Sequence, residues 1–202
     1  MDSFLLKLFQ AQIAIQCKFA LLSHDELTRR IASLHDDHDL VRARTSEVFD
    51  MPDNERLAKA IEIGMDWSAP PWLAIQSFLS AIANISKALW GQRGKFGVER
   101  EPLRRSLGVA DSSPLRPTSM RNHFDHFDER LDAWFAISTD HNYVDMNIGN
   151  VAAMIKGIPE DEMFRSFDPS TGDLIFWGDR YNLPTIVVEV QRIMPLAIQA
   201  SA

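Results

Sequence analysis

An arginine and a histidine, Arg121 and His126, lie five positions apart in a segment dense with polar and ionisable residues. An imidazole exchanges protons near neutral pH, and a guanidinium stabilises the negative charge that develops on a phosphate under attack. Asn122 precedes His126 by four positions, the spacing at which a helical side chain orients its neighbour by a hydrogen bond. The residue types therefore indicate acid–base chemistry on a phosphate ester.

A helix must position these side chains, because apolar residues recur through the segment at helical spacing. The stripe consists of Met120, Phe124, Phe127, Leu131, Trp134 and Phe135. Thr118 and Ser119 are candidate N-caps, so Arg121 falls in the first turn, where free backbone N–H groups favour an anion. We predict a helix to about Ser138. On a regular helix five positions correspond to about 140°, so His126 points away from the apolar stripe and Arg121 projects from its flank.

Other apolar patterns predict a bundle of helices around this one. The first helix spans residues 2–22 and a capping-box pattern, Ser23 with Glu26, restarts a helix to about Leu34. Its predicted packed side carries Phe4, Leu5, Leu8, Ile15, Phe19 and Leu22. Another helix runs from Pro52 to about Gly64, and a linker with Pro70 and Pro71 follows. The last helix spans residues 184–198, where Pro195 is expected to bend or end it.

The most apolar stretch, residues 72–90, predicts a central helix with two unlike sides. Apolar residues gather on one side: Trp72, Ile75, Leu79, Ile82, Leu89 and Trp90. The opposite side carries Gln76, Ser80, Asn84 and Lys87. This polar side faces either a second packed surface or polar cavity, or simply solvent. Ser86 is expected to bond back to its own helix backbone.

Near the C-terminus the pattern changes to strands. Residues 163–167 and 174–177 flank the turn sequence Asp168-Pro169-Ser170-Thr171-Gly172-Asp173, which predicts a β-hairpin. Residues 151–158 predict a helical turn. The fold class is therefore mainly α, an antiparallel helical bundle, with one domain over residues 1–202 and a hairpin appendage at 163–177.

The composition limits the functions that are open to the chain. With 28 acidic and 21 basic residues the formal charge is −7, so contact with nucleic acid requires a local basic site. Arg100, Arg104 and Arg105 either supply that site or, beside Glu99 and Glu101, belong to a solvated turn. Cys17 is the only cysteine and is expected in the core. We expect no membrane span and a cytoplasmic location.

The sequence contains little that indicates a cofactor site or a metal site. The sequence contains no dinucleotide-binding or Walker glycine loop and no Gly-x-Ser-x-Gly elbow, so we predict no cofactor. His35, His38 and Asp39 have the ligand types of a metal hydrolase, but a charged run of this kind is more typical of a solvated turn. We therefore predict no metal site.

Three motifs together carry a resemblance to a known superfamily. They are Ser86-Lys87-Ala88-Leu89-Trp90, Ser113-Pro114-Leu115, and the run from Arg121 to Asp132 with arginine, a polar residue and then histidine. This combination resembles bacterial proteins of the HEPN superfamily, over roughly residues 70–180. The resemblance implies a HEPN-like helical bundle and a metal-independent endoribonuclease, with two motif helices facing a cleft in a homodimer.

The resemblance also implies the roles of individual residues. Arg121 and His126 act on the scissile phosphate and the 2′-hydroxyl and leave a 2′,3′-cyclic phosphate, with Asn122, Asp125 and Glu129 as supporting residues. Asn84, Lys87 and Arg130 are candidate substrate-binding residues. Such enzymes often serve toxin–antitoxin or phage-defence systems, so RNA and an antitoxin protein are the expected partners. Some members carry a tyrosine two positions after the histidine, where this chain has Asp128.

An alternative function is a non-catalytic binding or assembly module of the same fold. The acidic neighbours Asp125, Asp128 and Glu129 repel RNA phosphates, and they also fit an interface network of ion pairs. His123, at the flank of the apolar stripe, and His141, in a loop, are expected to be ordinary hydrogen-bonding residues.

Overall fold

The structure is a computed structural model that describes residues 1–36, 51–92, 95–139, 141, 143–149 and 162–201. Over these residues the chain is mainly helical, as predicted, with a small sheet toward the C-terminus. The helices are α1 (Ser3–Asp36), α2 (Asp53–Trp90), α3 (Glu101–Ser106), α4 (Ser119–Asp125), α5 (Phe127–Ile137) and α6 (Leu183–Ser201). Helix α1 packs along both α2 and α6, and this three-helix contact holds much of the core.

Helix α1 is continuous, so the predicted restart at Ser23 is wrong. The cap lies at the N-terminus instead, where the Asp2 carboxylate accepts the N–H groups of Phe4 and Leu5 at 2.9 and 3.1 Å. The buried residues keep one helical face on both sides of Ser23, at steps of three, four and, across Ser23, seven positions: Gln10, Ile13, Cys17, Ala20 and Leu27. Because the same face stays packed, a capping-box pattern in mid-helix has no end to cap.

The predicted packed face of α1 is also wrong. Phe4, Leu5, Leu8, Ile15, Phe19 and Leu22 are 43–70% exposed, opposite the buried residues. Helix α1 is apolar on both sides, and spacing alone does not tell which side meets the core. The segment Ser3–Leu34 is long and apolar enough to cross a membrane by length and composition, although its inner face packs inside the fold. The predicted absence of a membrane span stays a prediction.

Helix α2 is continuous across Pro70 and Pro71, so the linker predicted there is wrong. The prolines remove two backbone donors, a cost of about 3 kcal/mol each in a helix interior, which the packing of both flanks offsets. The apolar side from Trp72 to Trp90 is buried as predicted, and Gln76, Ser80 and Asn84 are exposed. Helix α2 contacts α1, α3 and α4. Because Gln76, Ser80 and Asn84 are exposed, the structure supports the alternative that this polar side faces solvent.

The predicted hairpin is present and belongs to a larger sheet. Strands β2 (Arg165–Asp168) and β3 (Asp173–Phe176) pair antiparallel, with Arg165 opposite Phe176. Strand β4 (Asp179–Asn182) adds to β3, and β1 (Asn147–Ile148) pairs parallel with β2, giving the order β1-β2-β3-β4. The two added strands are short and polar, which explains why alternation of apolar residues did not predict them.

Turn geometry fixes the two hairpins of this sheet. Trp177 and Gly178 join β3 to β4 with φ values of 44° and 88°, as in a two-residue type I′ turn. Gly172 has φ of 72°, and a Cβ there would lie 2.5 Å from the Pro184 ring at the start of α6. Helix α6 continues through Pro195 to Ser201, so of the two expected effects of that proline, a bend or an end, the end is wrong and the bend stays a prediction.

Aromatic rings join the sheet to α4 and α5. Phe124 meets Phe176 edge to face at 5.3 Å between ring centroids, and Phe127 meets Phe164 at 5.5 Å. The predicted apolar stripe thus packs into the core, except that Phe135 is 60% exposed. The predicted helical turn at 151–158, together with His38 and Asp39 and the side chain of His35, lies outside what the structure describes.

Candidate functional site

The segment predicted as one charged helix is two helices that meet at His126. Helix α4 ends before His126 and α5 begins after it, because His126 adopts φ −110° and ψ 40°. Backbone bonds continue on both sides of the break, from the His126 N–H to the Asn122 carbonyl and from the Arg130 N–H to the His126 carbonyl. The angle of about 140° for a regular helix therefore does not apply to Arg121 and His126.

A polar cleft of about 810 Å³ lies beside this break. Its walls come from the C-terminal end of α2, the loop before α4, and the α4–α5 segment. The charged side chains of the cleft are Lys87, Arg116, Arg121, Asp125, Glu129 and Arg130, and Asn122 and His126 lie among them. We refer to this site as the basic cleft, because four permanent cations face two carboxylates.

The fold brings most of the predicted site residues to the basic cleft. Arg121, His126, Asn122, Asp125, Glu129, Lys87 and Arg130 all line it. Asn84 does not. Its side-chain amide donates to Gln16 Oε1 at 3.3 Å, in a groove between α1 and α2. Arg116 also lines the cleft and was not predicted, since its only sequence signal is a position in the loop between two prolines.

The two predicted catalytic side chains are each beside a carboxylate. Arg121 Nη2 lies 2.5 Å from Asp125 Oδ2, and His126 Nδ1 lies 3.4 Å from Glu129 Oε1. The His126 side chain is 54% exposed, in agreement with its predicted outward direction. Neither pair is buried, so solvent screens both, and both side chains remain accessible to a ligand.

In the part of the chain that the structure describes, the other three cations of the cleft have no such neighbour, and Arg116 is bound instead to the backbone carbonyl of Asp111 at 3.1 Å. Among the described residues, no carboxylate lies within ion-pair distance of Lys87 or Arg130. Lys87 is in the last turn of α2 and is half-buried. An acidic chain of net charge −7 therefore has a local site where positive charge is not neutralised by the protein itself.

Arg130 is held by a histidine and an aspartate outside the cleft wall. Its Nε donates to His123 Nδ1 at 3.1 Å, and His123 Nε2 lies 2.7 Å from Asp179 Oδ2. Because a guanidinium only donates, Nδ1 must accept, which places the imidazole proton on Nε2 facing Asp179. His123 also stacks on Phe176 at 5.0 Å. The expectation that His123 is a hydrogen-bonding residue is confirmed.

The arginines 100, 104 and 105 do not form a basic patch. Arg104 is buried and donates to the Leu89 carbonyl at 2.9 Å, Arg105 pairs with Glu101, and Arg100 stacks on the Phe9 ring at 3.6 Å. Burial lowers the pKa of Arg100. A plain solvated turn is wrong as well, because two of these arginines hold α3 against the helices around it.

Two other predictions about single residues have clear outcomes. Ser86 donates to the Arg116 carbonyl at 2.9 Å rather than to its own helix, so it ties α2 to the loop at the cleft. Cys17 is fully buried, as predicted, and burial raises its pKa to about 12. Over the described residues, no group of three or more His, Cys, Asp or Glu side chains is arranged to hold a metal ion.

Comparison with protein-family models, with curated proteins and with solved structures gives no match for this chain.

Proposed function

We propose that the chain is a HEPN-like, metal-independent endoribonuclease that binds RNA in the basic cleft. One observation carries the proposal: Arg121, Asn122 and His126 share a polar cleft with Lys87, Arg116 and Arg130, on a protein that is acidic as a whole. A phosphodiester is the ligand that such a cleft attracts, because three further cations lie around Arg121 and His126.

The proposed reaction is an internal transfer of the phosphate. His126 takes the proton of the 2′-hydroxyl, the 2′-oxygen bonds to phosphorus, and the bond from phosphorus to the 5′-oxygen breaks. The leaving 5′-oxygen takes a proton from solvent, so the products are a 2′,3′-cyclic phosphate and a 5′-hydroxyl. Arg121 stabilises the charge on the phosphorane. The pair with Asp125 leaves further N–H donors of the guanidinium for this role.

The neighbours of this pair fit supporting roles. Glu129 Oε1 lies 3.4 Å from His126 Nδ1, close enough to orient the ring. Asn122 lines the same cleft, one residue after Arg121. A homodimer, an antitoxin partner and a place in toxin–antitoxin or phage defence remain part of the proposal, supported only by the sequence resemblance.

The test is RNA cleavage in the presence of EDTA, with the product ends identified by mass spectrometry. We expect cleavage by the wild type, and a loss of about 100-fold or more in Arg121→Ala and in His126→Ala. Arg105→Ala is the matched control, since this exposed arginine lies outside the cleft. Equal cleavage in all four proteins, or no cleavage by the wild type, would reject the proposal.

A second candidate function is a non-catalytic assembly module, and the outer face of α1 favours it. Leu5, Leu8, Gln12, Ile15, Phe19 and Leu22 follow one another at spacings of three and four, the pattern of a coiled-coil seam. A second copy of α1 is the partner that fits, because one helix with this seam complements itself about a twofold axis. The exposed apolar side chains of α1 offer roughly 600 Å², close to the ~800 Å² per partner of a standard interface.

Sedimentation velocity distinguishes this second function. We expect a dimer for the wild type and a monomer for the double variant Ile15→Glu, Phe19→Glu, with unchanged helicity. Lys18→Glu, an exposed neighbour of the seam, controls for added charge. A monomeric wild type would reject the assembly role, as would flotation of the chain with phosphatidylcholine vesicles, which would assign the apolar face to a membrane.

A further inference from the structure

We propose that Lys87 and Arg130 form an anion subsite of the basic cleft that binds a phosphodiester next to the scissile one, and that His123 and Asp179 position Arg130 for it. This inference rests on the proposed RNA ligand but not on cleavage. The subsite lies on two elements that are distant in sequence, the last turn of α2 and the first turns of α5, and the cleft joins them.

The pairing of charges distinguishes Lys87 and Arg130 from Arg121. Arg121 already lies against Asp125, whereas Lys87 and Arg130 have no carboxylate at ion-pair distance among the residues that the structure describes. A cation that is not paired within the protein gives its full attraction to a ligand, while a paired one must first share its donors. Lys87 and Arg130 are therefore better suited to bind ground-state phosphate than Arg121, which is the residue proposed to act on the reacting group.

The hydrogen bonds then explain why Arg130 is a binding residue rather than a mobile surface side chain. Its Nε is fixed by His123 Nδ1, which uses one of the five guanidinium donors and leaves the two terminal nitrogens for a ligand. A planar fork held at one edge presents its other edge in a fixed direction, as bidentate phosphate binding requires. An arginine ordered in advance also loses less side-chain entropy on binding.

His123 is itself fixed by the sheet. Its Nε2 donates to Asp179, the first residue of β4, and its ring stacks on Phe176, the last residue of β3. The turn at Trp177 and Gly178 sets the distance between these two contacts. The small sheet thus reaches the cleft through a chain of three side chains, Asp179, His123 and Arg130.

Binding of a fluorescent single-stranded DNA oligonucleotide tests the subsite. The oligonucleotide has the phosphodiesters of RNA but lacks the 2′-hydroxyl, so the proposed reaction does not consume it. We expect Lys87→Ala and Arg130→Ala each to weaken binding roughly tenfold or more, measured by fluorescence anisotropy. Lys18→Ala and Arg105→Ala remove the same charges elsewhere on the surface and are expected to change affinity less than about twofold.

Two variants of His123 separate positioning from mere folding. His123→Asn keeps an acceptor at the place of Nδ1, and His123→Gln keeps a donor at the place of Nε2 but not the acceptor for Arg130. We expect the asparagine variant to retain affinity within about threefold and the glutamine variant to bind about as weakly as Arg130→Ala. Equal losses in both, in step with their thermal stability, would overturn the positioning role.

Competition with inorganic phosphate identifies the source of the anion. Displacement of the oligonucleotide only by longer phosphodiesters supports a nucleic-acid strand, whereas full displacement by equimolar inorganic phosphate would overturn the phosphodiester assignment. Failure of the two proposals is distinguishable. If oligonucleotide binding depends on Lys87 and Arg130 but RNA is not cleaved, only the nuclease proposal is rejected. If RNA is cleaved but neither substitution changes oligonucleotide binding, only the subsite proposal is rejected.

Discussion

Two arginine–aspartate pairs near the α4–α5 segment differ in the amount of water that reaches them. Arg165 and Asp145 are joined by two bonds, Nε to Oδ1 at 2.7 Å and Nη2 to Oδ2 at 2.5 Å, with only 10% and 13% of the side chains exposed. Arg121 and Asp125, in the basic cleft, are 29% and 40% exposed. The same pair of residue types therefore occurs once in a dry setting and once in a wet one.

The surroundings explain what each pair can do. The Arg165 guanidinium lies 4.7 Å from the centroid of the Phe127 ring and 5.7 Å from that of Trp72, so losing its carboxylate leaves a charge among aromatic rings. Arg121 has solvent as an alternative partner, and exchange with a ligand costs little. We therefore expect Arg165 and Asp145 to hold the sheet in place, whereas the proposed ligand contacts fall on the solvent-accessible pairs of the cleft.

The largest expected effect comes from breaking the dry pair. Asp145→Ala should lower the free energy of unfolding by about 3–5 kcal/mol, because Arg165 would remain buried without its partner. Urea denaturation followed by circular dichroism measures the change. Asp125→Ala is the matched control in the wet pair and should cost about 1 kcal/mol or less. A similar cost for both variants would contradict the contrast between the two settings.

Salt should separate ligand binding from folding. Each phosphate contact of a single strand contributes about −0.7 to the slope of log affinity against log salt, so Lys87 and Arg130 together give about −1.4. Raising NaCl from about 0.05 to 0.5 M then weakens oligonucleotide binding roughly 25-fold, while the buried pair is hardly screened. Anisotropy titrations of wild type and Lys87→Ala should show slopes that differ by about 0.7. Parallel slopes would show that Lys87 makes no phosphate contact.

A smaller effect is expected from neutralising the carboxylate of the wet pair. Asp125→Asn removes a negative charge from the cleft and frees donors of Arg121, so oligonucleotide affinity should rise by up to roughly fivefold, the equivalent of about 1 kcal/mol. The free energy of unfolding of Asp125→Asn should stay within about 1 kcal/mol of the wild-type value. Weaker binding would mean that Asp125 orients Arg121 rather than competing for it, and would revise its role.

The smallest expected effect is a loss of stability at alkaline pH, caused by the tyrosine hydroxyl that is bonded to Asp145 of the dry pair. The Tyr143 hydroxyl donates to Asp145 Oδ2 at 2.9 Å, and its pKa is raised above the ordinary 10.0, first by burial and then by the charge of Asp145. With a raised pKa the folded protein keeps the proton longer than the unfolded chain. The resulting stability is present below about pH 10 and is lost as pH rises further.

The effect should be modest because 40% of Tyr143 remains exposed. Urea denaturation at several pH values above 10 is expected to show a shallower loss of stability in Tyr143→Phe than in the wild type. Cys17→Ala provides a reference for a fully buried acid, whose pKa of about 12 produces a loss of stability of the same sign from pH 9 upward. Identical slopes in wild type and Tyr143→Phe would rule out a contribution from this hydroxyl.

The sequence by itself determined the mainly helical class, the buried side of α2, the first hairpin and most residues of the cleft. The first three follow from local periodicity and turn chemistry, which act over a few residues, whereas the residues of the cleft were expected from the residue types of the motif run and from the resemblance that it carries. The residues of the motif run were also close in sequence, so any helix would keep Arg121, Asn122 and His126 within a short distance of one another.

Only the tertiary structure decided which face of α1 is packed, because both faces are apolar and the choice depends on what α2 and α6 present to it. The passage of α2 through Pro70 and Pro71 was decided in the same way, since packing over both flanks outweighs a local preference. The hydrogen-bonded chain from Asp179 through His123 to Arg130 joins residues up to 56 positions apart. Contacts over such distances depend on the complete fold, and no local pattern encodes them.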